Sequence, residues 1–284
     1  MNKMRTFPIF MLLVLLTTSP VYAKPQNDLA SLDSVLSIRD TFLKNKKRRI
    51  DSIKSRIPVN APIMDKLKGY DRLYEEYLTL SFDSAMRYIN LAEELVSDTG
   101  DYDLNAKVKI HKSMSYATSG HFSQAIDELK KIQSSCLSDT LLEKYYQAYQ
   151  WTYGLWAEYS QDKTFAPIYY RNSKTYLDSL IQVTPRNTSL YNYRIAEKAL
   201  MFNHDFETAK KNYLKVVDKE PKNSRLYAQS AFALAQAYNN LQDRANYRKW
   251  LINAAISDQM IPLKENLALQ DVAILIKNED GDLE

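Results

Sequence analysis

The sequence predicts an all-α fold: a solenoid of stacked helix pairs preceded by a long amphipathic N-terminal helix. Three observations carry that expectation. Only five glycines occur in 284 residues, so the Gly-rich turns that join strands are missing. Tyrosine is abundant, at 21 residues, and recurs at helical spacing between small residues. Finally, "YATSGHFSQAIDELKKI" (116–132) and "FNHDFETAKKNYLKVVDKEP" (202–221) share one layout. A helix ends, a short polar turn follows, an aromatic opens the next helix, and an alanine comes three residues later. A layout that recurs within one chain marks a repeat array.

The first element is not part of that array. "MNKMRTFPIFMLLVLLTTSPVYA" carries Lys3 and Arg5, an apolar run from Phe7 to Leu16, and a small-x-small close at Val21-Tyr22-Ala23. This predicts a secretory signal peptide over residues 1–23, cleaved after Ala23; the apolar run is too short to span a bilayer well. No cysteine follows the cleavage site, which argues against a lipoprotein, and no later segment has 18 consecutive apolar residues. The formal charge of +4 falls to +2 without Lys3 and Arg5, near balance, and no contact with nucleic acid is expected. Cys136 is the only cysteine. With no disulfide within the chain, stability rests on apolar packing, and Cys136 is expected to be a buried or partly buried filler.

Residues 28–57 predict the amphipathic helix. Leu29, Leu36, Leu43, Ile50 and Ile57 recur every seven residues. Leu32 and Ile53 lie on the companion seam, which Arg39 and Lys46 interrupt. One intact apolar row beside a broken one is half a coiled-coil pattern. It is expected to pack on the first repeat, with self-association through residues 28–57 as the alternative. "KNKKRR" (44–49) is expected to be a solvated helix face, one that could touch anionic lipid.

Five helix pairs are expected over 61–257: 61–80 with 82–97, 101–118 with 122–134, 139–160 with 164–183, 187–202 with 206–219, and 222–241 with 243–257. Pro58, Pro62, Pro185, Pro221 and Pro262 fall at their boundaries, where a missing N–H is tolerated. Ala85, Ala125, Ala166, Ala209 and Ala245 are the small residues expected where two helices cross, which lets the helices approach. They lie 40, 41, 43 and 36 residues apart. Framed on Ala209, the residues Tyr193, Ala196, Leu200, Phe206, Tyr213, Val216 and Pro221 resemble a tetratricopeptide repeat. Framed on Ala125, so do Tyr116, Phe122, Leu129 and Ile132. The spacings exceed the usual 34 of that family, so the repeats read as divergent. Residues 263–284 read as the first helix of an incomplete sixth repeat. There "NEDG" (278–281) is its turn and "DLE" the start of a second helix, leaving Leu267, Val272, Ile274, Leu275 and Ile276 partly covered.

No HExxH, metal-spaced cysteine pair, Gly-rich phosphate loop or GxSxG occurs, so neither an enzyme nor a bound cofactor or metal is expected. His111, His121 and His204 are expected at turns or on the surface. Tyr146, Tyr149, Tyr153 and Trp156 are assigned mainly to the core. What a helical array offers is a curved groove lined by its first helices. The tetratricopeptide resemblance implies groove positions at Trp151, Tyr191, Arg194, Lys198, Met201, Arg225 and Phe232. Of these, Trp151 is expected to be exposed, and Arg194, Lys198 and Arg225 form either a basic clamp for an acidic peptide or a solvated face.

"LDSVLSIRDTFLKNKKRRIDSIKSRI", "YEEYLTLSFDSAMRYINLAEEL" and "LKENLALQDVAILI" together resemble the exported N-terminal part of a membrane-spanning regulator family of Gram-negative gut bacteria. That resemblance implies a periplasmic sensor or protein-interaction module with a protein or peptide partner, touching a membrane only through a segment downstream of the residues here. A free periplasmic scaffold for envelope complexes is the alternative, and a glycan-binding protein a third. The signal-peptide reading is checked by intact mass of the chain from a periplasmic extract: the mature protein is expected to begin at Lys24.

Overall fold

The structure, a computed structural model, describes residues 26–281 apart from 59, 79, 98, 161 and 262–265. The expected signal peptide, Pro262, Leu263 and "DLE" lie outside the described residues. Helices α1 (Gln26–Ser37) and α2 (Arg39–Ser55) come first. Five pairs follow: α3 (Ile63–Tyr77) with α4 (Phe82–Ser97), α5 (Tyr102–Thr118) with α6 (Phe122–Lys130), α7 (Asp139–Ser160) with α8 (Ala166–Val183), α9 (Ser189–Lys198) with α10 (Phe206–Val217), and α11 (Arg225–Asn240) with α12 (Arg244–Met260). Helix α13 (Leu267–Gly281) packs on α12. Among the described residues there is no strand, and no helix is long and apolar enough to cross a membrane.

Local chemistry sets the helix starts. Asp101, Thr188, Asp205, Ser224 and Asp243 each accept a hydrogen bond from the backbone N–H three residues on, an N-cap that contributes about 1 kcal/mol apiece. The turns inside three pairs share a conformation. Gly120, His204 and Gln242 all have positive φ, at 83°, 53° and 59°, two residues before α6, α10 and α12 begin. Only glycine adopts this backbone without strain. That the turn survives with histidine and glutamine shows it to be imposed by the packing of the two helices it joins.

Pairs close at small residues. Ala85, Ala125 and Ala209 are fully buried at their crossings. In the third pair the close approach falls to Gly154, where an added Cβ would sit 3.5 Å from Ser173 Oγ, rather than to Ala166 at the start of α8. Ala245 is exposed, and α12 instead buries Ala254 and Ala255 further along. Tyrosines fill the space beside the third crossing: Tyr149 stacks on Tyr176 at 4.3 Å between ring centroids, and Trp156 on Tyr169 at 4.2 Å.

The N-terminal segment departs from the single-helix expectation. It breaks at Ile38, whose φ of −98° and ψ of 8° leave the helical region. Helix α2 stays on α3, as expected, with Arg49 donating through Nε and Nη2 to the two carboxylate oxygens of Glu76 at 2.8 and 3.1 Å. Helix α1 turns away to pack on α12 at the opposite end of the array. There Leu32, 4 % exposed, joins the core built from α9–α13, and Leu29 and Leu36 pack against it. The heptad row is therefore spent mostly inside the chain; only Leu43, 48 % exposed, is left out. "KNKKRR" is not wholly a solvated face, because Lys46 is buried and Arg49 is paired.

Two further expectations are corrected. Helix α6 ends at Lys130, earlier than expected, and a 3-10 turn over Ser134–Cys136 leaves Cys136 exposed. "NEDG" is not a turn but the last turn of α13. That helix buries Ala268 and Val272 yet leaves Leu267 and Ile274 exposed. Seating α1 on α12 predicts that Leu32→Ala lowers the unfolding free energy by about 2–4 kcal/mol. The exposed Leu43→Ala should stay within about 0.5 kcal/mol; both are read by urea denaturation.

Candidate functional site

A cleft of about 280 Å³ opens among α7, α8, α9, α11 and the joint between α12 and α13. Its aromatic walls are Trp151, Tyr170, Tyr193, Phe202 and Phe232, and its polar groups include Gln150, Gln229, Glu158, Glu197 and Asp258. Among the described residues no lysine or arginine lines it.

The helices aim these side chains by i, i+4 rows. On α7 the row is Gln150, Gly154 and Glu158; on α9 it is Tyr193, Glu197 and Met201. Glycine at 154 leaves the wall open while α7 lies close on α8, where Ser173 Oγ donates to the Gln150 carbonyl at 3.0 Å. Past Lys198 the helix widens into a π turn over Ala199–Asn203, and two of its five residues, Met201 and Phe202, line the cleft. Such widenings recur where a helix presents side chains to a ligand.

Of the sequence-predicted groove residues, the cleft brings together Trp151, Met201 and Phe232. Trp151 is half-buried rather than exposed, and its indole Nε1 is buried with no acceptor among the described residues. Tyr191 sits half-buried in the first turn of α9, outside the cleft lining. Arg194 is 3 % exposed. Its guanidinium lies 2.7 Å from Glu143 and donates to the Leu180 carbonyl and the Thr184 hydroxyl. It ties α9 to α7 and to the end of α8, and is closed to a peptide. Lys198 pairs with Asp178 at 2.7 Å. Arg225 is exposed, beside a separate, wider recess that it shares with Tyr74, Glu75 and Lys144. The three cations thus form no clamp: Arg194 is buried against Glu143, Lys198 is paired with Asp178, and Arg225 lies beside another recess.

Glu197, Gln150 and Asp258 are the polar groups that sequence reasoning missed. Glu197 accepts from Gln150 Nε2 at 3.1 Å. It keeps a little surface toward the cleft, but the surrounding protein pushes its carboxyl up to about 7; burial is the main cause, opposed by the Gln150 bond and the charge of Arg194. Burial likewise raises Glu158. Asp258 Oδ2 accepts from the Asn266 N–H at 2.9 Å and from Gln259 Nε2 at 3.3 Å. His111 belongs elsewhere and is not a surface residue. It stacks on Tyr74 at 4.2 Å and lies 3.4 Å from Asp71. Burial holds it near 4 despite that carboxylate, so it is neutral at ordinary pH. His121 and His204 do sit at turns. No His, Cys, Asp and Glu group able to hold a metal occurs among the described residues.

A family model described as the SusR N-terminal TPR domain matches residues 36–284. No curated protein matches the chain.

Because the folded-state pKa of Glu197 lies above its ordinary value, the fold favours the neutral carboxyl. Stability from this group is lost as pH rises from about 4.5 through about 7. Glu197→Gln keeps the acceptor and removes the titration. Its Tm should equal the parent's near pH 4.5 and exceed it by about 2 °C or more near pH 8, read by calorimetry across that range.

Proposed function

The chain belongs to the family of the SusR N-terminal TPR domain, a helical-repeat interaction module of a regulator family, and on that premise we propose that it is the exported, periplasmic input part of a signalling regulator. Its task is to hold a ligand or a partner's side chain in the cleft of the array and pass occupancy on to the rest of the regulator. The observation that carries this reading is the composition of the cleft. Aromatic walls and a few convergent polar groups, set among helices that are otherwise packed tightly, are what a recognition site needs. The buried donor of Trp151 and the carboxyl of Glu197, crowded by protein, are costs to the empty fold that a bound group could offset.

One observation favours a second reading within this frame, a glycan as the ligand. Flat aromatic faces beside amides and carboxylates suit a neutral, hydroxyl-bearing guest. Protein or peptide partners remain the main reading for the rest of the concave face, where Lys144, Arg225 and Glu75 meet.

Thermal-shift measurement on the purified chain against neutral oligosaccharides and synthetic peptides tests both. A ligand present at about 100 times its Kd adds about 2.7 kcal/mol to the unfolding free energy. The rise in Tm is expected with the parent and lost in Trp151→Ala and Phe232→Ala. A rise that survives both substitutions would place the ligand outside the cleft.

A further inference from the structure

The cleft shares a wall with the joint between the last two helices. Asp258 and Ile261 at the end of α12, and Leu267 and Ala268 in the first turn of α13, all line it. That joint is held by a polar clasp. Asp258 Oδ2 accepts from the Asn266 N–H at 2.9 Å, and Gln259 Nε2 donates to Asn266 Oδ1 at 2.9 Å and to Asp258 Oδ2 at 3.3 Å. Asn266 takes the left-handed backbone, with φ of 59°, a conformation asparagine adopts more readily than other non-glycine residues. Asp258 and Gln259 are 6 % and 1 % exposed, so little water can replace the clasp.

Beyond the clasp α13 rests mainly on one neighbour. It packs on α12, burying Ala268 and Val272 and laying Leu269, Leu275 and Ile276 against the core, reaches α11 through Gln236 Nε2 to Asp271 at 3.3 Å, and leaves Leu267 and Ile274 at 49 % and 57 % exposed. A helix that packs mainly on one neighbour can open without the rest of the array.

We propose that Asp258 is a positioning residue that couples occupancy of the cleft to the seating of α13. A guest that fills this part of the cleft meets Asp258 of α12 together with Leu267 and Ala268 of α13. It therefore has different contacts when α13 is seated and when it is displaced, which is the condition for a ligand to shift an equilibrium. The coupling rests on reading the cleft as the regulator's recognition site.

The test uses a covalent guest, so no natural ligand is required. In the full chain carrying Cys136→Ser, which removes the exposed thiol, Ala233→Cys places a new thiol on the α11 wall of the cleft. Benzyl methanethiosulfonate then fills the cleft, with stoichiometry confirmed by mass. Hydrogen exchange of α13 is expected to change at least threefold on benzylation while α5 and α6 keep their rates. Adding Asp258→Asn is expected to abolish that response. A residue that merely supported the fold would instead shift the exchange of α13 equally with and without the benzyl group. Should Asp258→Asn not fold, Asn266→Gly keeps the left-handed backbone, drops the tie to Gln259, and is expected to weaken the response in the same way. Unchanged α13 exchange after complete benzylation, or a response that persists in both clasp variants, overturns the coupling. Neither outcome touches the ligand reading, which the thermal-shift measurement decides separately.

Discussion

Each helix pair in this chain has an apolar face that only its neighbours can cover. With a single cysteine and no metal-binding group among the described residues, there is no staple to compensate for an uncovered face. The rest of the architecture follows from that constraint. Within a pair, alanine or glycine at the crossing lets helices close. Tyrosine stacks fill the gap inside the α7–α8 pair, and between pairs the buried Arg194, bound to the half-buried Glu143, joins the fourth pair to the third. At the ends the constraint is met differently: α2 covers the face of α3, while α1 and α13 both lie on α12.

The pattern of pairs was legible because it is written in short-range chemistry. A small residue four positions into the second helix, an aromatic at its start and a polar turn before it are local requirements, and they recur. The turn was legible even where its left-handed residue changed from Gly120 to His204 and Gln242. The N-terminal helix shows the limit. Its heptad row announced an apolar face but carried no information on which surface the face would meet. Leu36 and Ile50 belong to one row, yet they are covered at opposite ends of the array. Cys136 and "NEDG" were misread for a related reason, since where a helix stops depends on what it packs against as much as on its own residues.

The candidate site was legible in part. Trp151, Met201 and Phe232 stand out as large apolar residues on first helices, and the cleft gathers all three. The cations misled, because charge on a first helix says nothing about which neighbour the charge faces; Arg194 and Lys198 turn to carboxylates on adjacent helices. The groups that give the cleft its chemistry, Glu197, Gln150 and Asp258, are ordinary residues in sequence. Glu197 was findable only by extending the row from Tyr193 to Met201. Asp258 continues a row from Ala254 on α12, but nothing in the sequence tells that this row faces the cleft.

The docking of α1 on α12 also fixes an order of events. Leu32 comes from the beginning of the chain, and its partners lie more than two hundred residues later, so the contact closes a loop almost as long as the molecule. Loop closure of that length is slow and disfavoured by entropy until the intervening pairs have stacked and brought the ends together. A helix among the first to be made is therefore among the last to find its place. Until then its leucines are solvent-facing, and the face of α12 that awaits them is open. The interval before closure is the period in which this protein is most exposed to aggregation or to capture by a chaperone, and it lengthens with every residue that separates the two ends.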